Sequence, residues 1–62
     1  MKKQVFLENV GKLVKIELRP NDFGITGTID AVFDDCIKFT TKQKTSYIDF
    51  DRISTLIPME RF

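Results

Sequence analysis

This sequence of 62 residues contains few side chains that could catalyse a reaction or bind a metal ion. It contains no His and a single cysteine, Cys36, so neither a nucleophile with a His base nor a Cys/His metal site is available. Asp34 and Asp35 are adjacent acids, but two carboxylates act as acid and base only when different environments separate their pKa values. A metal ion needs more ligands than this pair supplies. The sequence therefore predicts a protein that is not an enzyme and that uses no cofactor or metal ion.

A cluster of basic residues beside one aromatic residue favours binding over catalysis. Lys38, Lys42 and Lys44 precede Tyr47, and two more lysines follow the initial Met. Single-stranded nucleic acids are commonly bound by aromatic rings that stack on bases and by lysines that contact phosphates. The formal net charge is only +1, so nucleic acid would have to bind to such a local patch. The alternative is that these lysines form a solvated surface that keeps a hairpin edge soluble.

Two residues near the end of the chain each have a binding and a packing interpretation. Phe50 lies two residues after Ile48, which puts both on one face of a strand and favours the core, whereas an exposed Phe50 ring would stack on bases. Arg52 would either stack on a base or form a surface ion pair with Asp34 or Asp51. The sequence leaves both choices open.

The elements that position these side chains are predicted to be short antiparallel strands. In the segment 13–19, the apolar residues Val14, Ile16 and Leu18 alternate with charged residues, which is typical of a half-buried strand. Further strands are predicted at 36–41, 46–50 and 53–58, each bounded by polar or turn residues. The second strand is predicted at 25–33 and puts alternate residues on one face: Ile25, Gly27, Ile29, Ala31 and Phe33.

Two features are expected to shape this sheet. Gly27, in the middle of the second predicted strand, indicates a bulge or a close backbone approach that bends the strand. At the start of the chain, the segment 2–10 predicts a two-turn helix whose Phe6, Leu7 and Val10 cover the open end of the sheet.

A chain of this length predicts one domain, over residues 1–62. Such a domain buries roughly 60% of the surface that its unfolded chain exposes, so its core is thin. Cys36 has no second cysteine for a disulfide, which leaves self-association as the means of adding stability. A lone cysteine is also typical of a reducing compartment, and we expect a cytoplasmic protein. No apolar run approaches the roughly 20 residues that cross a bilayer, so no membrane partner is expected.

Four sequence motifs together resemble the Sm/LSm superfamily, which includes the bacterial RNA chaperone Hfq. They are a G-K-x-V-x-I-x-L strand at 11–18, a G-x-I at 27–29, a Phe-Asp at 33–34, and a closing I-S-T-L-I-P at 53–58. The resemblance covers nearly the whole chain, and the closing run is especially similar to that of Hfq.

The resemblance implies an all-β fold: a small, bent, five-stranded antiparallel Sm/SH3-like barrel with a short N-terminal helix. It also implies a homohexameric or homoheptameric ring, in which the fourth strand of one protomer pairs with the fifth strand of the next. Pairing of this kind satisfies open strand edges and buries further apolar surface. The candidate interface residues are Ile48, Ser54, Thr55, Leu56 and Ile57.

Single-stranded RNA is the ligand that the resemblance implies, but the usual pore residues are missing. The stretch 34–38 lacks the Asn that Sm proteins carry there, and 49–51 read Asp-Phe-Asp where Hfq has Tyr-Lys-His. Several Asp residues around a pore would repel phosphates, so a non-standard face is expected to bind RNA. The basic cluster and the resemblance together give these candidate RNA contacts: Phe33, Asp34, Lys38, Lys42, Lys44, Tyr47, Phe50, Asp51 and Arg52.

The same motifs are also similar to small SH3-like barrels, including the C-terminal domain of ribosome maturation factors. That similarity implies a protein-interaction or ribosome-associated module, in which the partner is another protein and not RNA. The sequence leaves this alternative open beside the RNA-binding ring.

Overall fold

One antiparallel sheet of five strands makes up most of the computed structural model, which describes residues 2–59. Its strand order is β4-β3-β2-β1-β5, so β4 and β5 form the two edges. A short helix precedes the sheet, and a 3₁₀ turn joins β4 to β5. The predicted all-β fold with a short N-terminal helix is confirmed. The elements in chain order are α1 Lys3–Leu7, β1 Leu13–Leu18, β2 Phe23–Val32, β3 Cys36–Thr40, β4 Thr45–Asp49, the 3₁₀ turn Phe50–Arg52 and β5 Ile53–Pro58.

A single apolar core forms because alternate residues along the strands point to the same side, except where the register shifts in β2 and β5. The edge strands β4 and β5 lie at opposite ends of the sheet, yet Ile48 and Ile53 belong to this one core. The sheet must therefore curl on itself like a barrel. The buried residues are Phe6, Val14, Ile16, Ile29, Ile37, Phe39, Ile48 and Ile53.

A β-bulge near the end of β2 reverses the predicted facing of its last residues. The pairing of β2 with β3 shifts between Ile29 and Ala31, which leaves an extra residue on β2. Because side chains alternate with a period of two, one extra residue exchanges the two faces. Val32 packs against the core, whereas Phe33 is 44% exposed. The prediction that Ala31 and Phe33 continue the inward face of Ile29 is wrong for this reason.

Gly27 lies where β2 passes very close to β3. A Cβ atom built on it would overlap the backbone carbonyl oxygen of Thr40 on β3. The predicted close backbone approach at Gly27 is confirmed, while the bulge itself lies further along the strand, after Ile29.

The N-terminal helix is shorter than predicted, and fewer of its apolar side chains are buried than predicted. It ends at Leu7, and of its apolar residues only Phe6 is fully buried; Leu7 and Val10 are 47% and 43% exposed. Gly11 has a positive φ of 81° and donates its N–H to the carbonyl of Ile29 at 2.8 Å, which turns the chain into the sheet. Val10 is thereby held in a single bridge to Ile29 and is not placed over the core. Within residues 2–59, no helix has the length and apolar character needed to cross a membrane.

Candidate nucleic-acid interface

Two exposed aromatic rings pack against each other on the outer side of the sheet. The ring centroids of Phe33 and Tyr47 are 6.1 Å apart and tilted by 43°, and Tyr47 is 66% exposed. Lys38 is directly opposite Tyr47 in the β3–β4 ladder, so the two side chains lie on the same side of the sheet as cross-strand neighbours. We call Phe33, Lys38 and Tyr47 the outer aromatic patch.

The fold places these three side chains outward for specific local reasons. Ile37 and Ile48 are opposite each other and face the core, so their neighbours Lys38 and Tyr47 face solvent. The bulge of β2 turns Phe33 outward, and its N–H donates to the carbonyl of Cys36 at 2.8 Å to close the β2–β3 turn. The patch therefore depends on the bulge as well as on strand alternation.

An ion pair joins the helix to the turn next to this patch. Lys3 Nζ is 3.2 Å from Asp34 Oδ1, and the Asp34 side chain is fully exposed. A pair this exposed contributes little to stability, because solvent screens the two charges. It brings a positive charge beside the turn that carries Phe33, and it partly neutralises Asp34, which the sequence predicts as an RNA contact.

The structure separates the predicted lysine cluster into Lys38, in the middle of β3, and Lys42 and Lys44, beyond the end of that strand. Lys42 and Lys44 lie in the β3–β4 hairpin loop, whereas the outer aromatic patch lies toward the β2–β3 turn. Thr41 orders this loop: its hydroxyl oxygen accepts hydrogen bonds from the backbone N–H groups of Gln43 and Lys44 at 3.2 and 3.3 Å. Only Lys38 of the three lysines is brought beside Tyr47.

Beside the hairpin loop lies an open groove of about 1000 Å³. Its lining is mainly apolar and also includes Lys42 and Lys44 of the hairpin loop. The apolar side chains that line it include Leu18, Phe23, Ile25 and Ile48. Nothing in the sequence pattern points to this groove, because it is built from strands β1, β2 and β4 together.

Phe50 is half-buried in the 3₁₀ turn. Its ring stacks on that of Phe6, with the centroids 4.8 Å apart and the planes 17° from parallel, and it packs against the core. One face of the Phe50 ring is therefore occupied by Phe6. A base would have only the other face available for stacking. Asp51, the next residue, is exposed.

Arg52 does not form the ion pair that the sequence suggested. Its Nε donates to the backbone carbonyl of Arg19 at 3.3 Å, and neither Asp34 nor Asp51 lies within ion-pair distance among the described residues. Asp34 is paired with Lys3 instead. Sequence reasoning also missed Arg19, which is exposed and bonded to the same turn.

Two acids near the β2–β3 turn, Asp35 and Asp49, affect Cys36. Partial burial, followed by the negative charges of Asp35 and Asp49, raises the pKa of the Cys36 thiol above its ordinary value. These acids do not assemble a metal site: residues 2–59 contain no group of three or more His, Cys, Asp or Glu side chains suited to a metal ion.

The predicted interface residues lie on or beside the two edge strands. Ile48 is buried in the core, Leu56 packs against it, and Ile57 is exposed. The Ser54 hydroxyl is 3.1 Å from both the Glu17 carbonyl and the Asp22 carboxylate, so it serves contacts within the chain. Thr55 pairs with Glu17 on the β1 side of β5. The other sides of β4 and β5 have no strand partner within the described residues.

Comparison with known proteins gives no relative for this chain: no family model matches it, and no curated protein matches it. The likeness to the Sm/LSm superfamily therefore depends on the four sequence motifs.

Proposed function

We propose that this protein is an Sm-like subunit that assembles into a homohexameric or homoheptameric ring and binds single-stranded RNA. The observation that carries the RNA-binding part is the outer aromatic patch, in which two exposed rings lie beside a lysine. The protein is then a binding protein and not an enzyme, in keeping with the absence of His and the single Cys in the sequence. The proposal includes a cytoplasmic location, because Cys36 has no second cysteine with which to form a disulfide.

The outer aromatic patch has the chemistry that single-stranded RNA requires. Stacking of one base on an exposed ring contributes about 1–3 kcal/mol and tolerates any base. Phe33 and Tyr47 are tilted by 43°, so each ring offers a base a different plane. Lys38, which is opposite Tyr47 on β3, would supply the positive charge for a nearby phosphate. Asp49 follows Tyr47 by two residues on the same face of β4. Its negative charge would repel a phosphate on that side of the patch.

Titration of a labelled single-stranded RNA at several salt concentrations tests this proposal. Tyr47→Ala removes an exposed ring without touching the core and is expected to weaken binding about tenfold. Lys38→Gln is expected to make the salt dependence shallower by about 0.7 in logarithmic slope, the value for one phosphate contact on a single strand. Lys12→Gln is the matched control, because it removes the same charge from an exposed turn outside the patch.

Either of two results would contradict RNA binding at this patch. A dissociation constant above ~100 μM at low salt, with no salt slope, would mean that the protein has no useful affinity for RNA. Equal losses for Lys12→Gln and Lys38→Gln would mean that only overall charge matters.

The open edges of β4 and β5 support the ring part of the proposal. An unpaired strand edge carries backbone donors and acceptors that a strand from another protomer can satisfy. Two different edges on one protomer form a head-to-tail contact, which closes into a ring when the rotation between protomers allows it. Native mass spectrometry gives the number of protomers directly, and a monomer at micromolar concentration would refute the ring.

The apolar groove favours a second function, that of an SH3-like module that binds a protein segment. Phe23 is the most exposed apolar side chain of the groove, and burying such a residue favours association with a partner. Nuclease treatment separates the two functions. A stoichiometric protein partner that remains bound after nuclease supports the module, and a partner lost with the RNA supports the RNA-binding ring.

A further inference from the structure

Two arginines that are far apart in the sequence are held side by side where β1 ends and β5 begins. The backbone N–H of Arg19 donates to the carbonyl of Arg52 at 2.7 Å, and Arg52 Nε donates back to the carbonyl of Arg19 at 3.3 Å. Arg19 Nη1 extends across the same turn, 2.7 Å from the Asp51 carbonyl and 3.3 Å from the Ile53 carbonyl. The Arg19 guanidinium is thus anchored by carbonyls at the 3₁₀ turn, and the Arg52 guanidinium by the carbonyl of Arg19 at the end of β1.

Most N–H donors of the Arg19 and Arg52 guanidinium groups are not used in hydrogen bonds within residues 2–59. A guanidinium carries about five N–H donors in a planar fork. In contacts within residues 2–59, Arg19 uses Nη1 for two carbonyls, which leaves its Nε and Nη2 donors, and Arg52 uses Nε alone. The remaining donors include a complete Nη2 group on each arginine. Planar forks of this kind match the oxygen atoms of a phosphate in a bidentate manner.

Among the described residues, the two positive charges also lack a direct counter-charge. No carboxylate of residues 2–59 lies within 4.0 Å of either guanidinium, since the ion pair found there joins Lys3 and Asp34. The nearest acids along the chain are Asp51, next to Arg52, and Glu17, two residues before Arg19. Asp22 lies three residues after Arg19, and its carboxylate is 3.1 Å from the Ser54 hydroxyl. Because the backbones of Arg19 and Arg52 are hydrogen-bonded to each other, their side chains start from neighbouring positions, and an anion bound between them would offset the repulsion of their like charges.

We propose that Arg19 and Arg52 form a binding site for a phosphate group, with a preference for a phosphomonoester. A phosphomonoester carries a charge near −2 at neutral pH, against −1 for an internal phosphodiester, so it matches two guanidinium groups better. This site goes beyond the proposed RNA contact. It is built by β1, β5 and the 3₁₀ turn, whereas the outer aromatic patch is built by β2, β3 and β4. The phosphate is either free in solution or the terminal phosphate of a nucleic acid.

Inorganic phosphate is the first probe, because its binding to the two arginines can be measured whether or not the protein binds RNA. The Nε–Hε NMR signals of Arg19 and Arg52 are followed while phosphate replaces chloride at constant ionic strength. Saturable shifts of both signals are expected. Arg52→Gln is expected to weaken phosphate binding about tenfold, the effect of losing one charged hydrogen-bonding group. Arg52 makes a single long bond, so this variant should remain folded, and Lys12→Gln is the control of equal charge.

Two oligoribonucleotides of one sequence then distinguish the sources of phosphate. Tighter binding of the 5′-phosphorylated strand than of the 5′-hydroxyl strand, lost in Arg52→Gln, identifies a terminal phosphate. Phosphate-dependent shifts without such a preference support the site with free phosphate as its ligand. Failure of both strands to bind while the shifts persist refutes only the RNA-binding function. The phosphate site is overturned if neither arginine signal moves, or if Lys12→Gln weakens phosphate binding as much as Arg52→Gln.

Discussion

At the scale of single residues, Gly27 fixes how closely β2 and β3 approach. An alanine there would place its Cβ against the Thr40 carbonyl oxygen, a backbone atom that is held in the β2–β3 ladder. We expect Gly27→Ala to lower the free energy of unfolding by about 1–3 kcal/mol, the usual cost of overpacking. The change can be measured by urea denaturation monitored by circular dichroism.

Gly24 provides a matched control on the same strand. An alanine at Gly24 would meet the end of the Lys15 side chain at 2.7 Å, and that flexible chain can move aside. Gly24→Ala should therefore cost clearly less than Gly27→Ala. Equal losses from both substitutions would show that the effect comes from replacing glycine in a strand and not from the contact with Thr40.

Cys36 gives a prediction about pH. Its partial burial and the neighbouring Asp35 and Asp49 raise the pKa of the thiol, so at a given pH the folded protein has less thiolate than the unfolded chain. Since thiolate is the reacting form, alkylation by iodoacetamide at pH 8 should be slower in the folded protein, and its rate should rise at a higher pH. The linked stability falls as pH rises through the thiol pKa values, because the folded state retains the proton longer. Equal pH profiles in native buffer and in guanidinium chloride would contradict this account.

At the scale of elements, the sequence predicts what depends on near neighbours in the chain. The alternation of Val14, Ile16 and Leu18 located β1, and the closing apolar run located β5 at 53–58, as observed. The facing of Phe33 was mispredicted, because a bulge depends on how β2 pairs with β3 and leaves no mark on the alternation itself. Arg19 was missed because its carbonyl partners lie 32 and 34 residues further along the chain.

The outer edge of β5 is the element on which the proposed ring depends. Ile57 is 39% exposed on this edge strand, and Ile57→Lys adds a charge there without removing a buried side chain. We expect this variant to stay folded but to lose its higher native mass. Leu7→Lys is the control, because Leu7 has similar exposure on the helix and lies outside the edge strands. An unchanged oligomer in Ile57→Lys would exclude this edge from the interface.

At the scale of the whole molecule, the core is so small that self-association is expected to add to the stability of the fold. Eight apolar side chains are buried within residues 2–59, and five partly buried ones pack against them: Leu18, Ile25, Val32, Phe50 and Leu56. A core of this size supplies only about 3–5 kcal/mol of net stability. The apolar groove and the two open edges leave further surface that a second protomer would bury.

Stability should therefore depend on protein concentration. Subunits that bind each other only when folded raise the melting temperature by mass action, so the midpoint of thermal unfolding should increase over a hundredfold rise in concentration. Ile57→Lys should melt at a lower temperature that is the same at every concentration, because its edge no longer pairs. Leu7→Lys should retain the dependence of the unaltered protein. A concentration-independent midpoint in the unaltered protein, together with a monomeric mass, would mean that the core alone holds the fold and that β4 and β5 are edges without partners.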